Sequence, residues 1–96
     1  MIHQYQNNGY YIVLDVNSGS VHVVDKSAYE VIEILKEENP DHTEQTLKQP
    51  HTLYNLTKHL GGKYPESEIK EILEAVTELT KEGKLFTQDI YEGYIG

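Results

Sequence analysis

The hydrophobic repeat of this chain changes near Asp25 from two residues to about 3.6 residues. Before Asp25 the apolar residues lie in short runs of the kind found in β-strands. After it they recur at helical spacing. Strands followed by helices are typical of an α+β domain, whereas alternating strands and helices would indicate a parallel sheet. The chain has 96 residues, which is enough for one domain of this kind.

Three β-strands are predicted, at residues 2–6, 10–16 and 21–24. Asn8-Gly9 lies between the first two, and this dipeptide favours a type I′ turn because both of its residues tolerate positive φ. A second turn of polar residues and glycine joins the second and third strands. Because both connections are short, the strands should form an antiparallel meander.

The second strand has two faces that the sequence separates by alternation. Ile12, Leu14 and Val16 share one face, and Tyr11, Val13 and Asp15 share the other. We assign Ile12 and Leu14 to the core, together with Val23 from the third strand. The other predicted core residues lie on the helices, and they are Val31, Leu35, Leu56, Ile72, Val76 and Leu79.

Three helices are predicted after Asp25. The first is expected to begin with a capping box formed by Ser27 and Glu30 and to end at Asn39-Pro40, and residues 41–50 are predicted to be a loop. The second should begin at Thr52 and end at the glycine pair 61–62. The third should run from Pro65 to Gly83, after which residues 85–86 return toward the sheet.

The charge of the chain argues against nucleic-acid binding. Sixteen acidic residues outnumber eight lysines, arginine is absent, and the net charge is −8. Phosphate contacts depend on lysine and arginine, so we expect no nucleic-acid partner. No apolar run is long enough to span a membrane and no secretion signal is evident, which predicts a cytoplasmic location without membrane contact.

The sequence predicts neither catalytic residues nor a metal site. Cysteine is absent, which excludes thiolate ligands and a cysteine nucleophile. No two of the five histidines have the i, i+4 spacing of a helical zinc pair. These histidines are His3, His22, His42, His51 and His59.

The third strand is a candidate binding surface because it lies at the edge of the predicted sheet. Residues 21–24 contain neither charge nor proline, the usual means of protecting an edge. Composition leaves two alternatives open. Another segment or a second copy covers this edge, or an extended peptide adds to it as a further strand.

Five strings of this sequence resemble a known family. They are MIH at residues 1–3, NG at residues 8–9, IVLDVNSG at residues 12–19, VHVVD at residues 21–25 and KEGKLF at residues 81–86. They are similar to the N-terminal part of the radical SAM maturases that install thioether cross-links in SCIFF peptides, the precursors with six cysteines in forty-five residues. In that family this part is a RiPP recognition element, a winged-helix-like domain that binds the leader of the precursor peptide.

The resemblance implies a non-catalytic domain at residues 1–86 and a linker at residues 87–96 leading to a catalytic part. The leader would add antiparallel to the third strand and pack against the third helix. The implied contact residues are Ser20, Val21, His22, Val23, Val24 and Asp25 on the strand and Glu68, Ile72, Ala75, Val76 and Leu79 on the helix. Because this chain lacks cysteine, iron–sulfur clusters and S-adenosylmethionine are expected only in the catalytic part.

The expected partners are a basic leader peptide, the catalytic domain of the same enzyme, and a second copy paired through the third strand. A winged-helix transcription regulator is the alternative from another class, although its third helix would bring more acidic residues than lysines to DNA. A purely structural dimerisation domain is the remaining alternative.

Overall fold

A computed structural model describes residues 1–87 and confirms the α+β prediction. A three-stranded antiparallel sheet precedes four helices in this part of the chain. The elements are β1 (Ile2–Asn7), β2 (Tyr10–Asp15), β3 (Ser20–Val24), α1 (Lys26–Glu38), α2 (Glu44–Leu47), α3 (Pro50–Leu60) and α4 (Glu66–Lys81).

The sheet has the predicted meander order β1-β2-β3. Asn8 and Gly9 have φ angles of 51° and 83°, so the first hairpin has the two positive φ values that a type I′ turn requires. Ile2 lies opposite Asp15, and Asp15 lies opposite Ser20. This register fixes which side chains share a face of the sheet.

The predicted inner face of the sheet is wrong. Val13 and Asp15 are fully buried against the helices, whereas Ile12 and Leu14 are only half-buried on the opposite face, and Val23 there is 64% exposed. Both faces of β2 are rich in apolar side chains, so alternation defines two sets of residues without selecting the one that meets the helices.

Polar contacts accompany the packing of α1 on the inner face. The Gln4 side-chain amide donates a hydrogen bond of 2.9 Å to the Tyr29 carbonyl. The ring of Tyr11 meets the ring of Tyr29 edge to face, with 5.3 Å between centroids. Inner-face residues that look polar in the sequence therefore find partners on α1.

The helices supply most of the core, as predicted. Val31, Leu35, Leu56 and Val76 are buried, while Ile72 and Leu79 are half-buried and pack against the same cluster. Helix α4 packs against α1, α2 and α3. The helical part of the predicted core is thus confirmed.

Two helix starts differ from the prediction. Helix α1 begins at Lys26 after Asp25, and Glu30 bonds Lys63 and Tyr64 instead of forming a capping box with Ser27. Helix α3 begins at Pro50, with the Thr52 hydroxyl donating to the Thr46 carbonyl. In both places the side chain has a tertiary partner that local patterns do not reveal.

Residues 41–50 are not simply a loop. They contain α2, which is capped by a reciprocal pair of hydrogen bonds between Thr43 and Thr46. Leu47 is buried and anchors this short helix to the core. A helix is predicted from the spacing of several apolar residues, and this polar segment has only one, so the sequence pattern could not predict α2.

Residues 85–86 return to the sheet, as predicted. Leu85 and Phe86 are buried, and the Thr87 hydroxyl donates a hydrogen bond of 2.5 Å to Asp15 Oδ2. Phe86 has a φ of 51°, in the left-handed region that large side chains rarely adopt. Apart from Thr87, the predicted linker at 87–96 lies outside the described residues.

Candidate functional site

The outer edge of β3 has no strand partner within residues 1–87, where β3 pairs only with β2. A two-residue hairpin loop makes Asn7 and Tyr10 a hydrogen-bonded pair. Hydrogen-bonded and non-hydrogen-bonded pairs alternate along antiparallel strands, so alternate residues of β2 turn their backbone groups toward β3. By this alternation, the N–H and C=O groups of Val21 and Val23 face the free edge.

The side chains of β3 divide between the two faces of the sheet. Val21 and Val23 lie on the outer face and are 60% and 64% exposed. Ser20, His22 and Val24 lie half-buried on the inner face. A peptide at this edge would therefore meet main-chain groups of Val21 and Val23 and side chains of the other three residues. Asp25 is exposed and is the residue that precedes α1.

Four of the predicted helix residues form one flank of α4. Glu68, Ile72, Ala75 and Leu79 are spaced by four, three and four residues, which places them on the same side of the helix. Ala75 is exposed and the other three are half-buried. Val76 is different because it is 3% exposed and belongs to the core. Contact with Val76 would require the core to open.

The chain that follows helix α4 meets β3. The Lys84 carbonyl accepts a hydrogen bond of 2.9 Å from His22 Nε2. The two parts of the predicted site are thus linked through the segment after α4.

The segment at residues 84–87 is a part of this region that sequence reasoning missed. Besides the contacts of Lys84 and Thr87 already described, the Asn17 amide donates a hydrogen bond of 2.8 Å to the Thr87 carbonyl. These bonds attach the segment to β3, to the β2–β3 turn and to the end of β2. The only signal in the sequence is Asp15, a carboxylate within an otherwise apolar strand.

An ion-paired cluster lies near the start of α4. Glu30 accepts hydrogen bonds from Lys63 Nζ at 2.6 Å and from the Tyr64 hydroxyl at 2.7 Å. Both bonds stabilise the carboxylate and lower the pKa of Glu30, and the same carboxylate raises the pKa of Tyr64 to about 12. Glu68 has no ion pair among residues 1–87, so it is available to a cationic ligand.

Two cavities lie away from β3. One, of about 600 Å³, is formed where α1, α2 and α3 meet and is lined by Glu38, His42 and Tyr54 among others. The other, of about 350 Å³, separates α2 and α3 from α4 and includes Leu53 and Leu73 in its lining. Neither includes a predicted site residue.

His42 is a buried histidine beside the larger cavity. Its ring is 2% exposed, its Nδ1 lies 2.8 Å from Thr46 Oγ1, and its Nε2 lies 3.6 Å from Glu38 Oε1. Burial lowers the pKa of His42, because a charged imidazolium would be poorly solvated there. Across the described residues, no three histidine, aspartate or glutamate side chains are grouped as metal ligands.

None of the helices in residues 1–87 is both long enough and apolar enough to cross a membrane. No protein-family model matches this chain, and a search of curated proteins finds no match. The similarity to the SCIFF maturases therefore remains a prediction from the sequence.

Proposed function

We propose that this chain is a non-catalytic peptide-binding domain that recognises the leader of a SCIFF precursor. The observation that carries the proposal is an uncharged edge of β3 that has no strand partner within residues 1–87 and is linked to the end of α4 by the hydrogen bond between His22 and Lys84. An extended peptide satisfies the backbone groups of such an edge, and an adjacent groove gives it specificity. We also propose that this domain has the winged-helix-like fold of RiPP recognition elements.

The backbone alternation defines how the peptide binds. It pairs antiparallel with β3 through Val21 and Val23, whose N–H and C=O groups face the edge. Every second side chain of the peptide then turns inward, toward Val24, Ile72 and Leu79. The methyl group of Ala75 leaves space at the middle of this flank for an apolar side chain.

The acidic residues of this chain indicate which half of a bound leader peptide would carry basic residues. Because the peptide runs antiparallel to β3, its N-terminal half lies near Val24 and the start of α4. Glu68 is at that end, and the chain as a whole carries a net charge of −8. A leader with lysine or arginine in that half is favoured, mainly through a faster association rate that salt reduces.

The domain delivers the leader to the catalytic part of the same enzyme, with residues 87–96 as the connection. Iron–sulfur clusters and S-adenosylmethionine bind in that catalytic part, since the present chain has no cysteine. The cytoplasm is the corresponding location.

The test is a fluorescence-anisotropy titration with a fluorescein-labelled synthetic leader of a SCIFF precursor. Val23→Pro removes one edge-facing N–H, and Ala75→Leu fills the flank of α4. Each should weaken binding by about tenfold or more, since each removes a central contact. Gln45→Leu is the matched control, because it adds the same leucine at an exposed helical position on α2.

Circular dichroism must first show that all three variants are folded. Unchanged affinity in both Val23→Pro and Ala75→Leu would contradict strand addition at this edge. Equal weakening by Gln45→Leu would also contradict it. A gel shift with duplex DNA at low salt tests the transcription-regulator alternative, and we expect no shift.

A further inference from the structure

The imidazole of His22 lies on the inner face of β3, where it is half-buried. Its Nε2 lies 2.9 Å from the Lys84 carbonyl oxygen. A carbonyl oxygen can only accept a hydrogen bond, so Nε2 carries the proton and donates it. In the neutral imidazole Nδ1 is then an acceptor, and no group within residues 1–87 donates to it.

The proposed strand addition places one leader residue directly opposite His22. Because Val21 and Val23 turn their backbone groups to the edge, they form the hydrogen-bonded pairs with the leader, and His22 forms the pair without such bonds. Side chains are closer in pairs of the second kind, in which the two Cα atoms are about 4.5 Å apart. Opposite residues share a face of the sheet, so this leader side chain lies beside the imidazole.

The surroundings of His22 favour a neutral leader side chain that donates a hydrogen bond. An added strand displaces water from this half-buried nitrogen, and an acceptor left without a donor weakens binding. Val13, which lies opposite His22 on β2, is fully buried, so a charged ammonium group here would lose much of its hydration. Serine, threonine, asparagine and glutamine side chains supply a donor without a charge.

We propose that His22 determines the specificity of the peptide site, by accepting at Nδ1 a hydrogen bond from a hydroxyl or side-chain amide of the leader residue opposite it. This inference rests on the proposed function, since it requires the leader to add to β3. The hydrogen bond to Lys84 orients the ring and so keeps the acceptor in one place. Backbone pairing alone accepts many sequences, whereas this contact selects one leader position by its chemistry.

An alanine scan of the fluorescein-labelled SCIFF leader tests the proposal by anisotropy at pH 8, above the range in which histidine side chains ordinarily titrate. Each single-alanine leader is titrated with the wild type, with His22→Phe and with Asn17→Ala. His22→Phe keeps an aromatic ring but removes the acceptor. Asn17→Ala is the matched control, because it removes the hydrogen bond from Asn17 to the Thr87 carbonyl in the same segment without changing β3.

We expect one serine, threonine, asparagine or glutamine of the leader to contribute to affinity only through His22. Its replacement by alanine should weaken binding to the wild type and to Asn17→Ala by about tenfold, and binding to His22→Phe by less than about twofold. Circular dichroism first shows which variants are folded, and His22→Ala replaces His22→Phe if the latter does not fold.

The possible failures can be distinguished. Leader binding in which no such polar position is coupled to His22 would overturn this inference and leave the proposed function standing. Coupling confined to apolar or basic leader residues would also overturn it, because His22 would then act by packing or by charge. Equal loss of coupling in Asn17→Ala would assign the selectivity to the segment after α4 instead of Nδ1. A wild type that binds no leader would overturn both proposals.

Discussion

The two faces of the sheet can be compared by making the same substitution on each. Val13 is fully buried on the inner face, and Val23 is 64% exposed on the outer face. Replacing valine by threonine keeps the shape and the β-branch but exchanges a methyl group for a hydroxyl. The pair Val13→Thr and Val23→Thr therefore differs mainly in burial.

Burial fixes the magnitude of each effect. A hydroxyl buried without a new partner costs about 1 to 3 kcal/mol, and Val13→Thr should lower the free energy of unfolding by that amount. For a domain of this size, each kcal/mol corresponds to roughly 4 to 8 °C in Tm. Val23→Thr should remain within about 0.5 kcal/mol of the wild type, since its hydroxyl stays hydrated.

Urea unfolding followed by circular dichroism measures the stability of both variants at micromolar protein. The slopes of the transitions should agree with the wild type, so that the midpoints can be compared. A Val23→Thr variant that loses as much stability as Val13→Thr would refute the assignment of the faces. The core would then include Ile12, Leu14 and Val23, as the sequence analysis assigned them.

Three further predictions concern other positions. Burial lowers the pKa of His42 in the folded chain, so below about pH 6.5 the unfolded chain binds a proton there more readily than the folded chain does. The free energy of unfolding should therefore fall as the pH is lowered from 8 to 5. In urea titrations over this range, His42→Gln should show a smaller fall than the wild type. Gly9→Ala should cost about 1 kcal/mol by the same assay, because φ is +83° there. Val76→Asp should abolish the cooperative thermal transition seen by circular dichroism, because it buries an unpaired charge.

Local signals were sufficient where one interaction determines the structure. Asn8-Gly9 predicted the first hairpin because few other residues accept two positive φ angles. Helical spacing predicted the inward side of α4 because only one face of that helix is apolar. Val76 is buried, and Ile72 and Leu79 pack against the same core.

Tertiary contacts decided what the sequence left open. The inner face of β2 includes Asp15, whose carboxylate accepts hydrogen bonds from Ser18 and Thr87. Without knowledge of those partners, a strand face that contains a carboxylate looks like the solvent face. Residues 41–50 show the same limit, because α2 depends on the burial of Leu47 and on capping between two threonines.

The candidate site was predictable in its parts but not in its connection. The lack of charge on residues 21–24 indicated the edge, and helical spacing indicated the flank of α4. The hydrogen bond from His22 to the Lys84 carbonyl joins residues far apart in sequence, so no local pattern could predict it. Burial of Val76 likewise depends on how α4 is rotated against the other helices.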